Sequence, residues 1–324
     1  MNAAFRWLMI VAPLPLLATP ASAGTKLKVL VPAYFPVANV AAAEKEWGRV
    51  LSAHRVGASE VAVIANINSG PVYPTDWSPA GRAMYGRVFQ QAASTGVPVF
   101  GYVSTNYGRR PVADVLADIR RWKSWGPAVK GIFLDEQPTS AAFVPQYQQY
   151  RQVVLQTFGV GGMVVANPGT WSPSATGDLT KYLTGPSGRS VADVMLIFEN
   201  SGNAAPGFYG QYSPSVWKSF QPAGFLPDRF AFVCHSQPSL QFLQLASDDQ
   251  VRWVYITDRT PGQNAYGGLP SYWDTAIQRI RSINATASGR VAGPQSIEAA
   301  YDRIGQLPVW LENAAVLKGA AIVE

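Results

Sequence analysis

Gly131-Ile132-Phe133-Leu134-Asp135-Glu136 runs apolar for four residues and then ends on two adjacent acids. A short, uninterrupted apolar run is the pattern of a parallel strand covered on both faces. Seven other short runs, rich in β-branched and aromatic residues, read the same way: Lys28 to Phe35, Glu60 to Asn68, Pro98 to Asn106, Gly162 to Asn167, Val194 to Asn200, Arg229 to His235 and Trp253 to Asp258. Between them lie longer segments such as Val112 to Trp122, whose apolar residues recur at intervals of three and four, as on one face of a helix. Eight strands alternating with helices predict an α/β fold, a single closed (β/α)8 TIM barrel. A doubly wound open sheet is the structural alternative, but it usually announces a nucleotide site, and the chain has neither a Gly-x-Gly-x-x-Gly turn nor a Walker loop.

The polar residues cluster where such a barrel places its chemistry, at the C-terminal ends of the strands. The runs finish on Tyr34; Asn66 and Asn68; Tyr102, Ser104 and Asn106; Asp135 and Glu136; Asn167; Glu199 and Asn200; His235; and Thr257 and Asp258. Carboxylates closing an interior strand are rarely tolerated without a partner or a task. Asp135, Glu136 and Glu199 are therefore the candidate catalytic residues, since glycosidic bond hydrolysis typically needs two carboxyl groups on one rim. Like-charge repulsion between the neighbours Asp135 and Glu136 is expected to hold one of them protonated. Tyr34, Asn68, Tyr102, Tyr107, Asn167, Asn200, His235, Asp258 and Tyr266 are the candidate substrate-binding residues. Tyr73, Trp171, Tyr209 and Trp273 are further aromatics near loops that offer stacking faces; two or three of the rim aromatics are expected to line a cleft.

His235 reads equally well as a ligand-binding residue and as a hydrogen-bonded structural one, and His54 reads as structural. With two His and one Cys the chain has no zinc-ligand spacing, so no metal and no cofactor are expected, an all-carboxylate calcium site being the alternative left open. There is no Gly-x-Ser-x-Gly elbow for a serine hydrolase.

Composition sets the outer limits. The 324 residues are 48% hydrophobic and 14% charged, enough apolar material for one large core. The formal charge of +6 is not gathered into a basic stripe; the densest spots are Arg109-Arg110 and Arg120-Arg121-Trp122-Lys123, so nucleic acid is not an expected partner. Arg6, the apolar stretch Trp7 to Leu17 and the small residues Ala21-Ser22-Ala23 read as a signal peptide over 1–23, cleaved after Ala23. Pro13, Pro15 and Pro20 interrupt an apolar run already shorter than the ~20 residues a spanning helix needs, so no membrane anchor is expected. The expected location is secreted or periplasmic. Cys234 is the one cysteine, which leaves no intramolecular disulfide. The barrel is expected over 24–284, closed by a helix from Tyr272 to Ile283, with a linker and short C-terminal extension over 285–324 to which no role attaches. A monomer is expected.

A set of motifs in order along the chain sharpens this reading: Asn68-Ser-Gly-Pro71, Gly101-Tyr-Val-Ser-Thr-Asn-Tyr-Gly108, Trp125 ahead of Gly131-Ile-Phe-Leu-Asp-Glu136, Asn167-Pro-Gly-Thr170, Phe198-Glu-Asn200, His235, Tyr255-Ile-Thr-Asp258 and Gly268-Leu-Pro-Ser-Tyr-Trp273. From about Val29 to Asp274 the sequence resembles the spherulin-4 (spherulation-specific family 4) group of glycoside hydrolases. The resemblance implies a TIM barrel and endo-acting cleavage of α-1,4-linked N-acetylgalactosamine in microbial exopolysaccharide. It also implies acid residues in the Asp-Glu and Phe-Glu-Asn motifs, here Asp135, Glu136 and Glu199. This chain has Leu134 where the family often has Phe before Asp-Glu. The expected mechanism is retaining, with Asp135 as nucleophile, Glu199 as general acid/base and Glu136 positioning substrate or tuning Asp135; an exchange of roles between Asp135 and Glu136 is the alternative. A non-catalytic carbohydrate-binding barrel is the alternative; a deacetylase is disfavoured by the missing metal ligands.

Overall fold

The computed structural model describes residues 24–55, 60–72, 78–185, 190–201 and 225–289. The expected signal peptide, most of the C-terminal extension, Tyr73 and Tyr209 lie outside the described residues. Eight parallel strands close on themselves in sequence order: β1 Lys28–Ala33, β2 Val61–Ala65, β3 Val99–Ser104, β4 Val129–Asp135, β5 Met163–Ala166, β6 Val194–Ser201, β7 Phe230–His235 and β8 Trp253–Ile256. Each falls within, or within two residues of, the apolar run that predicts it. The open-sheet alternative is excluded by the pairing of β1 with β8.

The described helices are α1 Val40–Arg55, α2 Pro79–Thr95, α3 Val112–Arg121, α4 Val144–Phe158, α5 Thr176–Thr184, α6 Gln241–Asp248 and α7 Trp273–Gly289. Local chemistry sets their ends. Ser78 caps α2 by accepting the Gly81 N–H, Pro79 opens its first turn, and Gly96 ends it at φ 78. α3 carries Asp114 in its first turn and Arg120 and Arg121 in its last, matching the helix dipole. α7 extends past the predicted Ile283 to Gly289. Among the described residues no helix is long and apolar enough to cross a membrane.

Most strand residues are buried, which is why the strands read as continuous apolar runs and not as alternating ones. The space between α1, α2 and the barrel is filled by Trp47, Tyr85, Phe89 and Trp125 in edge-to-face contacts. Trp171 and Trp273 also belong to the packed interior, at 7% and 3% exposure, so the stacking role considered for them does not hold. Trp171 lies edge-on to Phe230 and donates to Thr176 Oγ1. His54 sits in the last turn of α1, where Nδ1 accepts the Val61 N–H at the start of β2, a structural tie.

Two irregularities aim the site. The β3–β4 register slips between Val99 and Phe100, adding Lys130 to β4, after which Ser104 lies beside Asp135. The β6–β7 register slips between Leu196 and Phe198, immediately before Glu199. A bulge next to a functional residue re-aims the side chains beyond it.

Candidate active site

Asp135 ends β4, Asn167 follows β5 and Glu199 lies near the end of β6, so three adjacent strands deliver them to one rim. Asn167 is buried and its amide nitrogen donates to both carboxylates, at 2.7 Å to Asp135 Oδ1 and 2.6 Å to Glu199 Oε2. Those two oxygens therefore lie no further apart than the two contacts combined, about 5.3 Å. The other end of the amide is also fixed: Asn167 Oδ1 accepts the Gly169 N–H at 2.8 Å, and the Gly169 carbonyl accepts the Glu199 N–H. Gly169 makes this turn at φ 66, a conformation open to glycine without penalty. The motif Asn-Pro-Gly is thus a clamp on the amide orientation. A flipped amide would aim its carbonyl at two carboxylates.

Two phenols complete the arrangement. Tyr266, in the loop after β8, donates to Glu199 Oε1 at 2.8 Å. Tyr102, on β3, faces Asp135 and hydrogen-bonds to it. Tyr34, just past β1, packs edge-on against both rings, with centroids at 5.8 Å to Tyr102 and 5.5 Å to Tyr266. Burial and the neighbouring carboxylates push all three phenols upward, so they stay protonated and act as donors.

Burial, and then the charge of Glu199, raise Asp135 from the usual carboxylate range to about 6, against the opposing pull of Tyr102, Asn167 and the Glu136 N–H. The sequence suggests Glu136 as the source of such repulsion; the structure gives the role to Glu199. Glu136 takes a left-handed backbone, φ 55, and its carboxylate accepts the Ser104 hydroxyl. Among the described residues none of the three carboxylates has a Lys or Arg within ion-pair distance.

The remaining candidates divide. Tyr107 is on the same rim, its N–H bound to the Glu136 carbonyl, its side chain 49% exposed and the Arg109 guanidinium 5.8 Å from the ring centre. Asn200 follows Glu199 on β6 and its side chain accepts the Ser201 N–H. Asn68 is exposed in the bend after β2. His235 is half-buried at the end of β7, bonded to Ser236 Oγ, and burial lowers its pKa. Asp258 accepts both the N–H and the hydroxyl of Ser271, which fastens the β8 loop ahead of α7. Among the described residues Asn68, His235 and Asp258 make no hydrogen bond to Asp135 or Glu199. Ser104 and Gly169 take part without being among the sequence candidates; Ser104 stands in the rim pattern, and Gly169 is signalled by Asn-Pro-Gly.

Among the described residues no cluster of three or more His, Cys, Asp or Glu is arranged to hold a metal ion. The arrangement offers two carboxyl groups, one easily protonated, bridged by a fixed amide at the C-terminal ends of the strands. That is acid–base and nucleophilic equipment.

Known proteins carry the same frame. The chain is 29% identical over 287 residues to Spherulin-4 of Physarum polycephalum, covering 86% of this chain and 78% of that protein. Its fold superposes on the crystal structure of Aspergillus clavatus Sph3 in complex with GalNAc with a TM-score of 0.61 at 24% identity, over 79% of this chain and 98% of the other. The profile of the spherulation-specific family 4 matches residues 28–280, most of the chain and the whole of the barrel up to α7, and the chain belongs to that family.

Proposed function

We propose that the protein is a secreted or periplasmic glycoside hydrolase that cuts within α-1,4-linked chains of N-acetylgalactosamine or galactosamine, with retention at the anomeric carbon. The observation that carries this reading is the Asn167 bridge, which holds an Asp135 oxygen and a Glu199 oxygen within about 5.3 Å. Retaining enzymes keep their carboxyl groups roughly 5–5.5 Å apart, whereas inverting ones leave about 6.5–9.5 Å for a water. The sugar class is supported by the solved relative that holds GalNAc. Export is supported by the N-terminal leader pattern.

The protonation pattern favours roles opposite to those expected from sequence. Asp135, raised to about 6 by burial and the Glu199 charge, is suited to give a proton, which leaves the attack on carbon to Glu199, oriented by Asn167 and Tyr266. In the first step Glu199 bonds to the anomeric carbon while the glycosidic C–O bond breaks and Asp135 protonates the leaving oxygen. In the second, water attacks the same carbon, Asp135 takes its proton and Glu199 leaves. Tyr34 and Tyr107 offer ring faces, and Glu136 a hydrogen-bond acceptor, to neighbouring sugars.

The test is product release from α-1,4-linked N-acetylgalactosamine polymers, fully and partly deacetylated, by the mature protein, Asp135→Asn and Glu199→Gln. Oligosaccharides of retained configuration, formed by the unchanged protein alone, are expected. An inverted anomer would overturn the mechanism, and glycan binding without cleavage would make the protein a carbohydrate-binding barrel. Azide should restore turnover of an activated glycoside by Glu199→Ala as the inverted glycosyl azide; the same outcome in Asp135→Ala instead would restore the roles expected from sequence.

A further inference from the structure

Tyr266 has a role beyond that of a ring facing substrate. Its hydroxyl donates to Glu199 Oε1 at 2.8 Å while Asn167 donates to the other oxygen, so both oxygens of Glu199 are held from two elements. The phenol itself is held on three sides. Its ring meets Tyr34 edge-on at 5.5 Å and Tyr255 at 6.4 Å, and its carbonyl accepts the Tyr34 N–H at 3.1 Å. Tyr255 is buried on β8. The preceding turn is closed by the Thr260–Gln263 capping box and by Arg259, which donates to the Gln263 and Asn264 carbonyls. A loop side chain fixed in this way is built to hold something else in place.

We infer that Tyr266 is a positioning residue for Glu199: its hydroxyl, donating to the oxygen that Asn167 does not hold, sets the orientation of that carboxylate and favours its charged form. Among the described residues the polar groups facing Glu199 are Asp135 from β4, Asn167 after β5, Tyr102 on β3, Tyr34 after β1 and Tyr266. Asp135 is the other group of this set that titrates in the carboxylate range. Asn167 gives one N–H to each acid and so does not discriminate between them. Asp135 has Tyr102 and the Glu136 N–H as donors of its own, and Tyr266 is the donor that serves Glu199 alone.

The inference rests on the reading of Asp135 and Glu199 as the catalytic pair only for its kinetic consequences; the titration itself needs no substrate. In protein carrying carboxyl-labelled glutamate, with the Glu199 signal identified by its loss in Glu199→Gln, Tyr266→Phe should raise the Glu199 pKa by about one unit or more, a tenfold change in its ionisation constant. An unchanged Glu199 titration would overturn the inference. 3,5-Difluorotyrosine at 266, a stronger donor of nearly the same shape, should move Glu199 the opposite way, and this keeps the test decisive if Tyr266→Phe does not fold.

With a cleavable substrate, Tyr266→Phe should lower kcat/KM about 10- to 100-fold, mostly in kcat, and move the acid limb of the pH profile upward. In a Glu199→Ala background rescued by azide, the same change should cost less than about twofold, because its effect runs through Glu199. A raised KM that persists in that background would instead make Tyr266 a plain sugar contact. Absence of cleavage in every protein would fail the glycosidase reading while the titration still decides the role of Tyr266.

Discussion

Replacing Asp135 by Asn should abolish turnover and at the same time stabilise the fold, by an amount that depends on pH. The carboxyl is largely buried beside Glu199, and its folded-state value near 6 stands about two units above the usual 3.8. At about 1.4 kcal/mol per unit, ionising Asp135 in the folded protein costs about 3 kcal/mol more than in the unfolded chain. The sign follows from proton binding. Between about pH 4 and 6 the folded state holds a proton that the unfolded state has lost, so stability is complete below pH 4 and is lost as pH rises through 6. The side-chain amide of the Asp135→Asn variant never ionises, keeps an oxygen for Asn167 to donate to, and escapes the loss. Urea or thermal unfolding should show the variant equal to the parent at pH 4 and about 3 kcal/mol more stable at pH 8. For a domain of this size that is roughly 6–10 °C in Tm. An equal difference at both pH values, or a destabilised variant at pH 8, would refute the claim that a buried charge beside Glu199 is the source of the shift.

Three other substitutions probe separate parts of the structure. Asn167→Asp places an acceptor-only group between two carboxyls, so it should lose at least a thousandfold in kcat/KM and become less stable as pH rises above about 4, read by kinetics and by melting across pH. Tyr107→Ala removes an exposed ring two residues before Arg109 at the β3 side of the rim, and should raise KM on long oligosaccharides about 3- to 30-fold while leaving kcat within about twofold. Gly101→Ala would bring a methyl to 2.2 Å from the Trp122 ring, whose Nε1–H donates to the Tyr102 carbonyl, and should cost at least about 2–3 kcal/mol in chemical unfolding.

The barrel was legible because each strand is buried on both faces, so its residues form an apolar run whose polar end marks the rim. Boundaries were less so: Phe35, Asn68 and Asn106 extend their runs past the last ladder bond, because residues just beyond a strand can remain apolar or polar for rim purposes without pairing. Asp135, Glu199 and Asn167 were legible as strand ends. Their mutual arrangement was not, since it depends on the slip of register before Phe198 and on a glycine turn that fixes one amide. The partner that perturbs Asp135 is hidden from the sequence for the same reason. Adjacency in sequence suggests Glu136, yet a left-handed residue turns its side chain out of the strand's alternation, and the charge that matters arrives from two strands away. His235 and Asp258 stood at strand ends like the others, and the structure gives them Ser236 and Ser271 as partners.

The same rim also carries the backbone strain. Of the described non-glycine residues with positive φ, Ser69 follows β2, Asn106 and Tyr107 follow β3, Glu136 follows β4 and Ser236 follows β7, while Gln250 and Asn264 lie away from the C-terminal end of a strand. A left-handed L-residue costs roughly 1–2 kcal/mol and persists where surrounding contacts over-determine it. At Glu136 those contacts are visible: its carbonyl accepts the Tyr107 N–H and the Thr105 hydroxyl, and its side chain accepts Ser104. The consequence is chemical. An extended residue at 136 would alternate to the far side of the strand from Asp135, whereas the left-handed turn brings the third carboxylate to the β3 side of the rim and leaves Asp135 and Glu199 to share Asn167 between themselves. Strain at one backbone position thereby separates an amide-bridged pair from a neighbouring carboxylate that would otherwise be indistinguishable from it in the sequence.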